Sequence, residues 1–329
     1  MNQYLRSLSA TEQVGAMFLF IFGCLFIASV ALLILSLREQ NDDAAGEERR
    51  QSLVHANTLL RSSWFMVIVF WIGWLSGDIG AIVLFALVSF FALREFMTLS
   101  PTRRGDHRSL VLAFFVILPL QYTLVGTRHF DLFTVFIPVY VFLAIPVVSA
   151  LANDPQRFLE RNAKLQWGIM VCIYGMSHVP ALLLLDFPLY VDRGAFLVLF
   201  LALVVQTCML VQHVAARRLR RAPAAPAIST SFNWVSWCIG VGVASLLGGL
   251  LAGITPFKPG QALAMALVAS VAGSLGHLVM KAIKRDRGIP NWGSQGDGVT
   301  GANGLLDRVD ALCFAAPVFF HSVRWYFDL

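Results

Sequence analysis

The sequence predicts an all-α polytopic integral membrane protein with about ten transmembrane helices. Three observations indicate this class: 57% of the 329 residues are hydrophobic, only 13% are charged, and long apolar stretches recur along the chain. A soluble domain carries about twice that share of charged residues, and a spanning helix needs roughly 20 mostly apolar residues. The composition therefore excludes an ordinary soluble enzyme or binding domain.

The apolar stretches predict the helices in order. Those that fit one span each are Val14–Leu37, Leu110–Gly126, Phe130–Leu151, Gln166–Leu185, Gly194–Val214, Trp234–Ile254, Gln261–Ile283 and Val309–Phe327. The stretch Trp64–Phe96 is too long for one span, and Gly77-Asp78 interrupts it, so it predicts two helices joined by a tight turn. Residues 1–165 then carry helices one to five, and residues 166–329 carry helices six to ten and the candidate site.

The basic residues test this count independently. Twenty of the 25 Lys and Arg residues fall in the gaps after predicted spans one, three, five, seven and nine. Because cytoplasmic loops carry the excess of Lys and Arg, we expect these gaps to face the cytoplasm and both termini to lie outside. The net charge of +6 then reflects basic loops beside anionic headgroups, with no nucleic-acid partner. We expect a multi-pass protein of the inner cell membrane.

Charged side chains at the ends of spans need partners in a bilayer. Arg94-Glu95 ends the third predicted span and is expected to be an interfacial pair, with a buried polar contact as the alternative. Asp307 and Asp310 are three residues apart at the start of the last helix, so both can project to one face. Their oxygens suit Mg²⁺, which would in turn hold phosphates. A pair of interfacial carboxylates balanced by Arg308 stays equally open.

The gap before the last span is rich in glycine and has a basic entrance. It holds six glycines from Gly288 to Gly304, which predict a backbone that a ligand can approach closely. The basic residues at its entrance are Lys281, Lys284, Arg285 and Arg287. A loop of this kind, beside two carboxylates, favours a phosphate-bearing ligand.

Three segments of this region carry a family resemblance. They read K-R-D-R-G at 284–288, G-L-L-D-R-V-D-A-L at 304–312 and A-A-P-V-F-F-H at 315–321. In a polytopic chain they resemble the signature of the CDP-diacylglycerol synthases, also called phosphatidate cytidylyltransferases. The resemblance implies transfer of a cytidylyl group from CTP to phosphatidate, which yields CDP-diacylglycerol and pyrophosphate. It also implies a site facing the cytoplasm and pairing in the membrane, as a homodimer or with a partner enzyme.

The resemblance implies roles for individual residues as well. The implied ligands of Mg²⁺ are Asp307 and Asp310, with Asn291 and Asp297 as substitute oxygen donors. The implied catalytic phosphate contacts are Lys284, Arg285 and Arg308. The implied contacts to the co-substrate CTP are Ser229, Trp234, Gly301 and Gly304.

The chain departs from the family pattern where metal and phosphate would bind. An Asp expected in the ninth span is His277, and a Ser expected before the Lys-Arg pair is Lys281. The family's Lys-Asp is Pro290-Asn291, its Gly-His-Gly-Gly reads Gly-Ala-Asn-Gly at 301–304, and a Lys and a Glu of the earlier loop are Phe232 and Val235. We therefore expect a synthase-like protein of phospholipid metabolism whose catalysis is weakened or lost.

Two other functions stay open at this point. The first is an active cytidylyltransferase with a rearranged metal site or an altered lipid substrate, so the sequence alone leaves enzymatic activity undecided. The second is a lipid-binding or transport protein, which is weaker because the spans show no paired charges near the middle of the membrane and no clear inverted repeat. For the synthase-like protein with weakened catalysis and for the active cytidylyltransferase, the expected partners are phosphatidate and a cytidine nucleotide.

Overall fold

The part of the chain that the structure describes contains the predicted number of helices. The computed structural model describes residues 10–38, 44–98, 103–185, 187, 194–289, 292 and 304–328. In these ranges the regular structure is helical and forms ten helices, apart from an isolated bridge between Ala225 and Ser229. The all-α prediction is therefore confirmed.

We number the ten helices in chain order. They are α1 Ala10–Arg38, α2 Ala44–Leu75, α3 Gly77–Thr98, α4 Arg104–Gly126, α5 Phe130–Ala150, α6 at residues 158–183, α7 Gly194–Leu219, α8 Trp234–Ile254, α9 Pro259–Asp286 and α10 Leu305–Phe327. Three of them contain a π-helical stretch, namely Ala113–Ile117, Phe136–Val141 and Ile169–Gly175. Each stretch contains a proline or precedes one, and proline disturbs the regular backbone hydrogen bonds of a helix.

Seven of the described helices are long and apolar enough to cross a membrane by length and composition: α1, α3, α4, α5, α7, α8 and α9. Their outward faces are also apolar; Leu19 of α1 and Leu250 of α8, for example, are 75% and 83% exposed. Apolar side chains exposed along whole helices are unfavourable in water and favourable in lipid. The chain is therefore a multi-pass membrane protein.

Several helices begin earlier than predicted, among them α2, α6 and α10. The structure starts α2 at Ala44, α6 at Phe158 and α10 at Leu305, whereas the apolar stretches begin at Trp64, Gln166 and Val309. Each added segment is polar but rich in residues of high helix propensity, such as Leu, Glu, Arg and Ala. The apolar pattern marks the membrane-crossing part of a helix and not its whole length.

The described chain divides into two compact units, Met1–Leu75 and Ser76–Leu329. In the first, α1 packs against α2: Phe18 and Trp74 have ring centroids 5.7 Å apart, and the indole of Trp64 donates to Ser29 Oγ at 3.0 Å. In the second lie α3 to α10. The functional division at residue 165 stays a prediction, because it separates the helices by the site they carry and not by their contacts.

In the second unit, α7, α8, α9 and α10 pack on one another in sequence, and α10 also contacts α3 and α6. Small residues permit the close approach. A Cβ added to Gly248 of α8 would lie 2.2 Å from Ala266 Cβ of α9, and one added to Gly276 of α9 would lie 2.2 Å from the ring of Phe314 in α10. Close backbone approach at small residues is a common way to pack helices in lipid. It brings the polar faces of α9 and α10 together.

An ion-pair network around the buried Arg161 joins the start of α4 and the loop between α5 and α6 to the first turn of α6. The side chain of Arg161, 6% exposed, lies 2.6 Å from Asp154 Oδ2 and 3.0 Å from Asp106 Oδ1. Asp154 Oδ2 also lies 3.2 Å from Arg103 Nε. Breaking a buried pair leaves an uncompensated charge, so this network holds the starts of α4 and α6 together.

The network predicts a loss of stability in acid. The hydrogen bond from Arg161 lowers the pKa of Asp154 below its ordinary value. The stabilisation of the folded state by this carboxylate is therefore complete above the ordinary pKa of about 4. It is lost as the pH falls through the lowered pKa. Thermal unfolding of purified protein between pH 7 and pH 3 should show this loss, and Asp154→Asn should reduce it. The matched control Asp131→Asn, whose carboxylate is 98% exposed, should keep the wild-type profile. Equal acid sensitivity of Asp154→Asn and wild type would contradict the prediction.

Candidate phosphate-binding site

The start of α10 is held by a carboxylate from α3. Glu95 Oε1 accepts from the backbone N–H of Gly304 at 2.5 Å, and Oε2 accepts from that of Leu306 at 2.8 Å. The first N–H groups of a helix lack acceptors within the helix, and a negative charge there is favourable. The expectation of an interfacial Arg94-Glu95 pair is therefore wrong for Glu95, because this carboxylate makes the buried polar contact instead. Glu95 fixes the position of the helix that carries Asp307 and Asp310.

Asp307 is paired with a lysine of α9. Its Oδ1 lies 2.5 Å from Lys284 Nζ, and its Oδ2 accepts from the backbone N–H of Trp292 at 2.9 Å. Trp292 is 2% exposed, and its ring stacks on Phe96 of α3 with centroids 5.4 Å apart. The structure thus brings two predicted site residues, Lys284 and Asp307, into direct contact.

Asp310 is buried against the same helix. It is 3% exposed, and its Oδ2 lies 2.7 Å from His277 Nδ1 while its Oδ1 accepts from the backbone N–H of Ala311 at 2.6 Å. The approach depends on Gly273, since a Cβ there would lie 3.2 Å from the carbonyl oxygen of Ala311. The histidine that replaces an expected Asp therefore contacts the carboxylate that the resemblance implies as a metal ligand.

Lys281 completes one face of α9. His277, Lys281 and Lys284 are spaced by four and three residues, which places them on one side of a helix. Lys281 is half-buried and close enough to Asp310 and Lys284 to interact with both electrostatically. We call these three residues the basic ladder, and it faces the two carboxylates of α10.

The loop between α7 and α8 has its own internal contacts. Ser229 is 4% exposed, and its Oγ lies 3.4 Å from Ser231 Oγ. Trp234 is 60% exposed and touches the ring of Phe232, which is 3% exposed. Asn233 begins α8 as its N-cap, with Oδ1 accepting from the N–H of Ser236 at 2.9 Å, the usual role of Asn at this position.

The other implied residues are less closely associated. Neither Ser229 nor Trp234 hydrogen-bonds to Asp307 or Asp310 among the described residues. Arg285 is exposed at the end of α9 and Arg308 is half-buried in the first turn of α10, while Gly304 lies just before α10 with φ of 79°, a conformation that favours glycine. Asn291, Asp297 and Gly301 lie outside the described residues.

The described donors do not fit a Mg²⁺ site. In the ranges that the structure describes, no three His, Cys, Asp or Glu side chains converge as a metal cluster. Asp307 and Asp310 each have a basic partner within 2.7 Å, and their other oxygens accept backbone N–H groups. A divalent cation would have to displace those donors from both carboxylates. The described chemistry is that of paired charges.

Sequence reasoning missed two contributors to this site. Trp292 gives its N–H to Asp307 from inside a glycine-rich segment, and no local pattern marks it. The sequence favours an interfacial pair for Glu95, and its position at the end of an apolar span is the one local signal of a polar contact. Its partners lie 209 and 211 residues away, which no local pattern encodes.

Comparison with known proteins agrees with the sequence motifs. Residues 57–326 match the profile of the cytidylyltransferase family. Over 272 residues, the chain is 34% identical to the "Uncharacterized protein YnbB" of Escherichia coli (strain K12), an alignment that covers 82% of this chain and 87% of that protein. The profile match includes α9, α10 and the segment between them. The family that the motifs predicted is confirmed. This chain belongs to the cytidylyltransferase family of membrane proteins.

Proposed function

We propose that this protein is a phosphatidate cytidylyltransferase-like protein that retains the lipid- and nucleotide-binding scaffold and transfers the cytidylyl group weakly or not at all. The observation that carries the proposal is the pairing of Asp307 with Lys284 and of Asp310 with His277. Both carboxylates, and Lys284 among the three implied phosphate contacts, are therefore already engaged with a neighbouring side chain. Groups that are occupied with each other stabilise the charge of a transition state less well.

The magnitude of the losses supports weak catalysis. Removing one oriented donor from a transition-state site costs about 2.7–4 kcal/mol, or two to three decades in rate. Phosphoryl transfer depends chiefly on positioning and charge neutralisation. Two positions where the family has a Lys and a Glu hold Phe232, which is buried, and Val235, which is 48% exposed. Neither side chain can donate to or neutralise a phosphate.

Several features support retained binding. Glu95 holds the start of α10, and α9 and α10 keep the close packing that places Lys284, Arg285 and Arg308 near one membrane face. Anionic ligands of the implied kind are phosphatidate, CDP-diacylglycerol and cytidine nucleotides. From the distribution of basic residues we propose that this face is cytoplasmic and that the protein resides in the inner membrane.

The test is release of pyrophosphate. Purified protein in nanodiscs, supplied with CTP, phosphatidate and Mg²⁺, should turn over far more slowly than the roughly 1 per second of an ordinary enzyme. The double variant Asp307→Asn/Asp310→Asn serves as the control for background hydrolysis. Binding of CDP-diacylglycerol, followed by the fluorescence of Trp292 and its neighbours, should persist in wild type. Ordinary turnover would contradict weak catalysis, and absence of both turnover and binding would contradict the retained scaffold.

An active enzyme with an altered site is the second candidate. The retained motif Asp307-Arg308-Val309-Asp310 at the start of α10, together with the long profile match, favours it. The same assay with other anionic lipids in place of phosphatidate distinguishes the two functions. Restoring Lys-Asp at 290–291 and His-Gly at 302–303 then tests whether the rest of the site supports catalysis.

A further inference from the structure

The carboxylates around the start of α10 have no unused oxygen. Glu95, Asp307 and Asp310 together offer six oxygens, and each accepts from an N–H donor at 2.5–2.9 Å. The donors are Gly304 N and Leu306 N for Glu95, Lys284 Nζ and Trp292 N for Asp307, and His277 Nδ1 and Ala311 N for Asp310. These carboxylates are satisfied by the chain itself.

The donors that could be exchanged for a metal ion are side chains of the basic ladder. His277 and Lys284 occupy the positions on α9 that face Asp310 and Asp307, and Lys281 lies between them on the same face. Mg²⁺ requires oxygen ligands at about 2.0–2.1 Å in near-octahedral geometry. An ammonium group 2.5 Å from Asp307 and an imidazole nitrogen 2.7 Å from Asp310 lie on the side from which such an ion would have to approach both carboxylates.

We infer that the basic ladder of α9 replaces a divalent cation at this site, so that Asp307 and Asp310 do not hold Mg²⁺. The ladder supplies what the ion would supply electrostatically: positive charge fixed between α9 and α10 and donors aimed at both carboxylates. A carboxylate oxygen is an acceptor, so the contact with Asp310 Oδ2 requires the ring N–H of His277 to be on Nδ1. The inference rests on the proposed function only for the identity of the anionic ligand.

The replacement has a consequence for ligand binding. A site whose carboxylates are balanced by fixed side chains keeps its geometry whether or not divalent cations are present. A phosphate-bearing ligand would then be recognised by basic side chains alone, as a fixed positive charge can do without an ion. Binding of CDP-diacylglycerol should therefore be insensitive to removal of Mg²⁺ with EDTA.

Binding of Mn²⁺ is the direct test, because Mn²⁺ accepts the same oxygen ligands as Mg²⁺ and its free form gives an electron paramagnetic resonance signal. In nanodiscs, the signal of free Mn²⁺ should be equally large with wild type and with Asp307→Asn/Asp310→Asn, because neither protein binds the ion at this site. The double variant His277→Asp/Lys281→Ser exchanges two residues of the basic ladder for an acid and a hydroxyl. It should bind Mn²⁺ about 10–100-fold more tightly than wild type, and adding Asp310→Asn should abolish the gain.

Two results would overturn the inference. One is stoichiometric Mn²⁺ binding by wild type that Asp307→Asn/Asp310→Asn removes. The other is no gain of Mn²⁺ binding in folded His277→Asp/Lys281→Ser, since the basic ladder would then not be what excludes the ion. If that variant does not fold, Lys284→Met, which removes one ammonium group, takes its place. A gain of Mn²⁺ binding in Lys284→Met supports the inference, and no gain contradicts it.

A second readout needs no variant. The midpoint of thermal unfolding of wild type should be the same in Mg²⁺ and in EDTA, and a lower midpoint in EDTA would contradict the inference. Failure of the proposed function is distinguishable, because a protein that binds neither CDP-diacylglycerol nor CTP would leave the Mn²⁺ result unchanged.

Discussion

Replacing Glu95 with Ala is expected to destabilise the protein more than any other single truncation in α3. The change leaves the partly buried N–H groups of Gly304 and Leu306 without their acceptor, and a fully buried donor left unsatisfied costs about 1–3 kcal/mol. The loss of a negative charge at the start of α10 adds to this cost. Unfolding in mild detergent, followed by circular dichroism, measures the change in free energy.

Two further variants make the test specific. Glu95→Gln keeps one oxygen acceptor and should recover part of the loss. Leu87→Ala removes a side chain of the same helix that is 51% exposed, and it should leave the amides of Gly304 and Leu306 as protected from hydrogen exchange as in wild type. A Glu95→Ala protein with unchanged stability and unchanged amide protection would show that this carboxylate does not hold α10.

Replacing Gly175 with Ala is expected to force α6 and α10 apart. A Cβ at this position would lie 2.2 Å from the carbonyl oxygen of Cys313 and 3.0 Å from its carbonyl carbon. Backbone atoms cannot turn aside as a side chain can, so the cost should reach the upper part of the roughly 1–3 kcal/mol typical of overpacking. The displaced α10 carries Asp310, so binding of CDP-diacylglycerol should weaken together with stability.

Gly242 provides the matched control. It also lies within an apolar helix, but an added Cβ would meet no heavy atom within 4 Å apart from its own stretch of helix. Gly242→Ala should therefore be neutral or stabilising by up to about 1 kcal/mol, because alanine favours helix more than glycine does. Thermal unfolding of the two variants side by side should give changes of opposite sign, or a loss for Gly175→Ala only. Equal changes would mean that the contact between α6 and α10 tolerates a methyl group.

The number and type of the helices were predictable, while some of their limits were not. The lengths of the apolar stretches and the alternation of basic gaps both led to ten helices, because burial in lipid requires a long apolar segment wherever the chain crosses. The polar beginnings of α2, α6 and α10 carry no such requirement. They are helical through propensity and through contacts such as those of Arg161 with Asp106 and Asp154.

The candidate site was predictable in its residue types and not in its partners. Motif resemblance located Lys284, Asp307 and Asp310, and the spacing of the two acids placed them on one face. The pairing of each acid with a particular base was left open between a metal ion, Arg308 and the preceding loop. In the structure the partners of Asp307 and Asp310 are Lys284 and His277, because Gly273 and Gly276 let α9 approach α10 closely.

By itself, the sequence determined the membrane class, the ten helices and the family, since each depends on local composition or on a contiguous motif. Only the tertiary structure decided that Glu95 holds the start of α10 and that His277 and Lys284 face Asp310 and Asp307. These contacts join residues 23 to 211 positions apart. Their register depends on how closely two helix backbones can pack, and that distance is set by small residues on both helices together, which neither helix encodes alone.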